Sequence, residues 1–238
     1  MNLILFEESE LARPLPQGDE RARHILEILR CQEGDEFDVG LVDGPRGKAV
    51  LQQVATGGLV LEFRWTEEQA PLDPIILIAG LSRPQTNRKI LQEAAAIGVQ
   101  RMLFVHTERA EASYASSRLW TTGEYRRHLL AGVAQAFSTR VPGVVYGLSL
   151  QEALGEVGEL RAKYALDNYE YTIPLGRMRP AAAVVLAVGS ERGWTAAERD
   201  VLRRDGFVLA GLGRRVLRTE TAAIAALALA KSAMGLWD

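Results

Sequence analysis

Cysteine is nearly absent from this chain of 238 residues, and Cys31 is the single example. One thiol excludes an internal disulfide. Histidine is scarce as well, with three residues at scattered positions. Neither residue type shows the close spacing of metal ligands, so we expect no metal site.

Long apolar runs are also lacking. The longest unbroken run, residues 222–230, is about half of what a membrane-spanning helix needs. The first residues turn acidic at once and lack the basic segment that begins a secretory signal. No G-x-x-x-x-G-K-[ST] motif is found, which excludes a P-loop NTPase. We therefore expect a cytoplasmic protein without a membrane partner.

Charge is balanced overall but unevenly distributed. Residues 1–70 carry 14 acidic and 7 basic side chains, whereas residues 71–145 carry 5 acidic and 9 basic ones. Only four of the 28 basic residues are lysines. The planar arginine fork matches phosphates and base edges, although a coding bias towards arginine would give the same excess. The pattern permits RNA binding by the middle and C-terminal parts and argues against a polyanion clamp in the N-terminal part.

A domain boundary is predicted at residues 66–74, a polar stretch that ends with two prolines. Before it, a short helix at residues 20–29 precedes three strand-like runs. Glycine-containing turn signals separate these runs, which are residues 36–41, 48–54 and 59–65. Residues 1–70 are therefore predicted to form a small β-rich, barrel-like domain.

After the boundary, strands and helices alternate. The predicted strands are residues 75–81, 102–105, 144–145, 164–166, 181–188 and 207–210. The predicted helices are residues 85–97, residues 117–137, a helix near Leu150 and a long C-terminal helix rich in alanine. This alternation predicts that residues 71–238 form an α/β domain whose parallel sheet is covered on both faces.

Two glycine-rich loops lie close together near the end of the chain. The first belongs to residues 188–195 (VGSERGWT), where Thr195 and Glu198 have the spacing of a capping box. The second belongs to residues 212–221 (LGRRVLRTET) and leads into the last helix. Loops that join strands to helix N-termini present main-chain N–H groups, so the two loops predict one binding site.

These two strings resemble the signature of the ribosomal small-subunit methyltransferase E family, which belongs to the knotted SPOUT class of methyltransferases that use S-adenosylmethionine (SAM). The resemblance extends over nearly the whole chain. Further similar segments are residues 22–35, residues 88–99, residues 107–109, and Gln135 with residues 140–142. The resemblance implies a PUA-like RNA-binding barrel at the N-terminus and a deep trefoil knot in the α/β domain.

The resemblance also implies a reaction, namely methyl transfer from SAM to N3 of a uridine in 16S ribosomal RNA or in the assembled small subunit. It implies a homodimer that pairs through the last helix and the helix at residues 117–137. The SAM-binding residues would be Leu166, Asp167, Gly189, Glu191, Gly193, Leu212, Gly213, Val216 and Leu217. The residues that contact RNA would be Arg140, Arg218 and Thr219.

Arg218 and Glu220 are the candidate catalytic residues. Negative charge spreads onto the carbonyl oxygens of the uridine as N3 loses its proton, and the Arg218 guanidinium would stabilise that charge. Glu220 would accept the proton, or would only complement the N-terminus of the last helix. Two other functions stay open, namely 2′-O or N1 methylation by another SPOUT branch, and SAM and RNA binding without catalysis.

The first loop departs from the family pattern. The usual sequence G-P-E-G-G is replaced by residues 189–193 (GSERG). Ser190 gives up the fixed φ of proline, which predicts a looser loop before the cofactor binds. Arg192 replaces a glycine, so either the backbone there is ordinary and Arg192 is a neutral surface residue, or a strained φ is tolerated because its guanidinium contacts SAM or RNA.

Overall fold

The computed structural model describes residues 3–158, 162–180 and 182–237. The chain divides into two compact units. The first comprises Met1–Pro71 together with Val133–Val141, and the second comprises Leu72–Gly132 together with Pro142–Asp238. The inclusion of residues 133–141 in the first unit differs from the single boundary that the sequence predicts.

The first unit contains a four-stranded sheet in the order β1-β2-β3-β4, in which β1 is parallel to β2 and the other pairs are antiparallel. Its strands are β1 (Ile4–Phe6), β2 (Glu36–Leu41), β3 (Arg46–Ala55) and β4 (Gly58–Glu67). A short helix, α1 (Glu20–Arg23), continues as a π-helical turn at His24–Ile28. Ile25 of this turn is buried with Phe6, Val39 and Leu51 in the core of the unit.

Residues 133–141 are tied to this unit by hydrogen bonds. The amide of Leu3 donates to Ala134 O at 3.1 Å. The guanidinium of Arg140 donates to Asp43 O and, at 3.2 Å, to Gln69 O. Arg140, which the sequence analysis assigns to RNA, thus donates from both terminal nitrogens to main-chain carbonyls of its own unit.

The second unit is built on a seven-stranded sheet in the order β7-β6-β5-β10-β8-β11-β9, in which every pair is parallel. Its strands are β5 (Asp73–Gly80), β6 (Val99–Val105), β7 (Gly143–Leu148), β8 (Ala162–Leu166), β9 (Ile173–Pro174), β10 (Val184–Val188) and β11 (Val208–Gly211). Its helices are α2 (Pro84–Ile97), α3 (Arg118–Thr121), α4 (Glu124–Gln135), α5 (Leu150–Val157), α6 (Ala196–Arg204) and α7 (Thr219–Met234), of which α4 ends within residues of the first unit.

Helices cover the parallel sheet of the second unit. Leu154 of α5 and Leu202 of α6 are buried in one cluster with Ile78 and Val185 of the sheet. The helices α2 and α7 pack against each other, and α7 also contacts β5 and β10. All five residues of β10 are buried, which explains why this strand reads as a continuous apolar run. The α/β class predicted from the alternation is confirmed.

Two predicted elements differ from the structure. The helix predicted at residues 117–137 is divided into α3 and α4, because Gly123 has a left-handed φ of +73° that interrupts the helix. The strand predicted from Ala181 begins at Val184, and Ala181 itself lies outside the described residues.

Candidate functional site

A cleft opens where β8, β10 and β11 end. These strands are neighbours in the order β10-β8-β11 and run parallel, so the loops that follow them meet at one edge of the sheet. The cleft has an empty volume of about 580 Å³, which includes the open space at its mouth. Its lining consists of Leu166, Asp167, Asn168, Tyr169, Val188, Gly189, Ser190, Glu191, Gly193, Ala210, Leu212, Arg215, Leu217, Thr219 and Ala222.

The loop after β10 is a tight turn. The amide of Gly193 donates to Ser190 O at 2.8 Å, and Gly193 has a φ of +67° that favours glycine. The next residue, Trp194, is fully buried, and its indole N–H donates to Leu166 O at 3.1 Å. This bond joins the loop after β10 to the end of β8. The capping box of α6 is confirmed, with Thr195 N donating to Glu198 Oε2 at 2.8 Å and Glu198 N donating to Thr195 Oγ1 at 3.2 Å.

Asp167 is held by a buried ion pair that the sequence did not reveal. Its Oδ2 accepts from Nε of Arg199 at 2.7 Å, and the two side chains are only 2% and 7% exposed. Its Oδ1 accepts from the amides of Tyr169 at 2.8 Å and Glu170 at 2.6 Å. The carboxylate thus fixes the loop after β8, so Asp167 shapes the wall of the cleft through its neighbours.

Glu191 connects the cleft to the start of α2. Its Oε1 accepts from the amide of Arg83 at 3.2 Å and from the hydroxyl of Thr86 at 3.4 Å. A carboxylate beside the first turn of a helix is favourable, because the main-chain N–H groups there lack helical partners.

Ser190 and Arg192 are the two departures from the family pattern. Ser190 is buried, and its hydroxyl accepts from the hydroxyl of Thr107 at 3.0 Å. Among the described non-glycine residues, a positive φ occurs only at Arg30, Asp43 and Phe137. The backbone at Arg192 is therefore ordinary, and the interpretation that it is strained is wrong.

In the loop after β11, the residues near the two ends line the cleft more than those in the middle do. Leu212 and Leu217 line the cleft with Arg215, whereas Val216 is 78% exposed and is not part of the lining in the portion of the chain that the structure describes. Gly213 has a φ of +103°, which a residue with a side chain would rarely adopt. The structure thus places Leu217 at the cleft and Val216 in solvent.

The two candidate catalytic residues lie at the start of α7. Arg218 is the N-cap residue and is exposed, and Thr219 beside it lines the cleft. Glu220 is 16% exposed in its side chain and accepts from Nζ of Lys89 at 3.3 Å. Within the described ranges, neither Arg218 nor Glu220 lines the cleft itself.

Sequence reasoning missed several residues of the lining. Tyr169 and Arg215 belong to loops that it identified, but neither was singled out, and Ala222 lies one turn into α7. The only signal in the sequence that could have indicated Ala222 is its spacing of three residues from Thr219, which places both on one side of the helix. In residues 3–158, 162–180 and 182–237 we find neither a group of three metal-ligating side chains nor a helix of the length and apolarity that a bilayer requires.

The family model described as an RNA methyltransferase domain matches residues 68–231. A protein of Treponema pallidum named ribosomal RNA small subunit methyltransferase E is 32% identical over 247 aligned positions, which cover 100% of this chain and 93% of the relative. The chain belongs to the ribosomal RNA small subunit methyltransferase E family. A family member from Borreliella burgdorferi is 28% identical and covers 95% of both chains.

Two solved structures share the fold of this chain. The Neisseria gonorrhoeae ribosomal RNA small subunit methyltransferase E, solved bound to S-adenosyl methionine, has a TM-score of 0.76 and 25% identity and covers 98% of each chain. A structure from Porphyromonas gingivalis has a TM-score of 0.80 at 21% identity and covers 99% of this chain and 100% of its own, which shows the fold alone.

Proposed function

We propose that this protein is a SAM-dependent methyltransferase that acts on N3 of a uridine in 16S ribosomal RNA. The observation that carries the proposal is the cleft formed by the loops after β8, β10 and β11, in a chain that matches family members over its whole length. The relatives are named for methylation of small-subunit ribosomal RNA, and one was solved with SAM bound. The choice of uridine N3 rests on the motif resemblance.

The cleft fits the chemistry of SAM. Apolar side chains of Leu166, Leu212 and Leu217 suit the flat adenine ring, and the main chain at Gly189 and Gly193 offers polar groups without side chains in the way. A Cβ on Gly189 would lie 3.1 Å from the Cα of Gly193, so a side chain there would require the main chain of the turn to shift slightly. When bound, SAM supplies a methyl group already activated on its sulfonium.

Arg218 is proposed to stabilise the negative charge that develops on the uridine carbonyl oxygens. Its exposed position beside Thr219 suits a group that meets RNA at the mouth of the cleft. Glu220 is proposed to act mainly on the helix, because its carboxylate lies in the first turn of α7 and pairs with Lys89. We favour this role of Glu220 over that of a proton acceptor.

The finer architecture is also proposed. The interleaved strand order, in which β10 lies between β5 and β8, and β11 between β8 and β9, supports a knotted path for the second unit. The four-stranded sheet and its core support a PUA-like barrel in the first unit. We further propose a cytoplasmic location, where the small ribosomal subunits named in the relatives are assembled.

A homodimer that pairs through α7 and α4 is proposed as well. Leu229 on α7 stays 37% exposed, which leaves apolar surface on this helix. Gel filtration with light scattering is expected to give twice the mass of one chain. The mass of a single chain at micromolar concentration would refute the dimer.

The decisive experiment incubates the protein with methyl-labelled SAM and small subunits that lack the modification, followed by mass spectrometry of the nucleosides. We expect 3-methyluridine. A 2′-O-methylated nucleoside or another methylated base would assign the protein to a different SPOUT reaction. SAM binding without transfer to subunits or to naked 16S rRNA would indicate a non-catalytic relative.

A further inference from the structure

A second cavity adjoins the cleft on the other side of the loop after β10. It has an empty volume of about 550 Å³ including its mouth, and it shares Ser190 and Glu191 with the cleft. Its described lining includes Arg83, Arg109 and Arg192 together with Glu111, Tyr114 and Glu191. Residues 190–191 thus separate a site for a small molecule from a site that is rich in arginine.

Three arginines from three neighbouring strand ends meet in this cavity. Arg83 follows β5, Arg109 follows β6 and Arg192 follows β10, and these strands are adjacent in the order β6-β5-β10. All three residues are exposed, and among the described residues none of them forms a side-chain ion pair. By contrast, Arg21 and Arg199 are each bound by two carboxylates.

Two of these three arginine side chains, those of Arg109 and Arg83, are positioned by hydrogen bonds. One guanidinium nitrogen of Arg109 donates to Arg192 O at 3.0 Å, which leaves its other donors free to bind. A hydrogen bond with Tyr114 and the nearby Glu191 raise the pKa of Arg83, so this residue keeps its charge. One oxygen of the Glu191 carboxylate, Oε1, accepts from the amide of Arg83 and the hydroxyl of Thr86. The cavity therefore brings three guanidinium groups together with two carboxylates, Glu111 and Glu191, and the planar arginine forks suit a phosphate.

We propose that this cavity binds a backbone phosphate of the substrate RNA next to the nucleotide that enters the cleft. The inference rests on the proposed function and adds a subsite to it. The carboxylate of SAM is the competing anion, but the cleft that would hold SAM has its own cation in Arg215, whereas Arg83 and Arg109 line only the second cavity among the described lining residues. A nucleotide that reaches the cleft carries phosphates on both sides, and the cavity that shares Ser190 and Glu191 with the cleft offers one of them a cationic site.

The test uses the full-length protein with Arg83→Gln, Arg109→Gln and the double variant. Arg204→Gln is the matched control, because Arg204 is exposed at the end of α6 and forms no ion pair among the described residues. The probes are SAM, measured by calorimetry, and an unmodified 16S rRNA transcript, measured by filter binding between 50 and 300 mM salt. We expect the double variant to reduce the slope of the salt dependence of transcript binding by about 1, as for one lost phosphate contact, and each single variant to reduce it by part of that amount, while SAM affinity stays within about threefold.

Arg83→Lys with Arg109→Lys is expected to restore the salt slope, since the charge is retained, but only part of the affinity, since the fork is lost. Loss of SAM affinity with unchanged transcript binding would overturn the proposal in favour of the SAM carboxylate. If Arg204→Gln lowers the salt slope of transcript binding as much as Arg83→Gln does, the effect reflects the loss of any positive charge, and the proposal of a specific phosphate site is overturned. If the wild-type protein binds the transcript but transfers no methyl group either to it or to small subunits, the proposed function fails, and the phosphate subsite is still decided by the same slopes.

Discussion

Removal of the buried cation at Arg199 is the sharpest test of how the cleft is held together. In Arg199→Met the carboxylate of Asp167 loses its partner at 2.7 Å while remaining only 2% exposed. The substitution also removes the guanidinium that lies 5.4 Å from the ring centre of Tyr169. Methionine is apolar and similar in length, so the main change is an unpaired buried charge.

The expected cost follows from that burial. Breaking a buried ion pair by removing one partner costs about 3–5 kcal/mol of unfolding free energy. The amides of Tyr169 and Glu170 still donate to the other oxygen of Asp167, so we expect the lower end, about 3 kcal/mol. For a unit of this size, that corresponds to a fall in melting temperature of about 6–12 °C.

Thermal and urea unfolding of the purified variant measure this effect. Arg204→Met is the matched control on the same helix, because Arg204 is exposed and bonds only to the carbonyl of Asp200 among the described contacts, and it is expected to change stability by less than about 0.5 kcal/mol. The double variant combines Arg199→Met with Asp167→Asn. Its loss of unfolding free energy is expected to be smaller than the sum of the two single losses by at least about 1 kcal/mol. If Arg199→Met proves as stable as Arg204→Met, the ion pair does not hold the site.

Binding of SAM provides a second readout of the same variant. Asn168 and Tyr169 line the cleft and their loop is fixed through Asp167, so a loosened loop must be ordered again when the ligand binds. A cost of about 1.4 kcal/mol corresponds to a tenfold weaker affinity. Calorimetry below the melting temperature measures this change. If the SAM affinity of the destabilised variant is unchanged, Arg199 contributes to folding but not to SAM binding.

Further predictions concern three other places in the structure. Arg218→Ala is expected to leave SAM affinity within about threefold and to reduce methyl transfer by roughly 10²-fold, and an equal loss of SAM binding in calorimetry would make Arg218 a cofactor residue instead. Arg192→Gly is expected to change SAM affinity by less than about threefold, because the backbone there is unstrained, and a tenfold change in either direction would contradict this. Hydrogen bonds from Arg21 hold the pKa values of Glu10 and Asp19 below their usual range. The two ionised carboxylates therefore stabilise the fold above about pH 4, and this stabilisation is lost as the pH falls further and they become protonated. Arg21→Met is therefore expected to cost about 1–2 kcal/mol at pH 7 and progressively less below pH 4 in urea titrations, and a pH-independent loss would refute the electrostatic part.

Much of the second unit could be predicted from local patterns. Continuous apolar runs and alternation identified the strands that became β5, β10 and β11, because buried parallel strands select apolar residues on both faces. The capping box of Thr195 and Glu198 could be predicted because its two hydrogen bonds span only three residues.

The break at Gly123 was not predicted, although glycine is the residue that permits it. A glycine within a helical pattern is tolerated more often than it ends a helix, and its left-handed φ is visible only in the structure. The assignment of residues 133–141 to the first unit was also missed, because it depends on bonds such as that of Leu3 to Ala134.

The sequence by itself determined the order of strands and helices, the two glycine-rich loops and the family, since each is written in residues that are close together along the chain. Only the tertiary structure decided which side chains meet. Asp167 pairs with Arg199, 32 positions away, and Lys89 pairs with Glu220, 131 positions away. Local propensity acts over a few residues, whereas these partners are selected by the sheet order that places distant strand ends side by side.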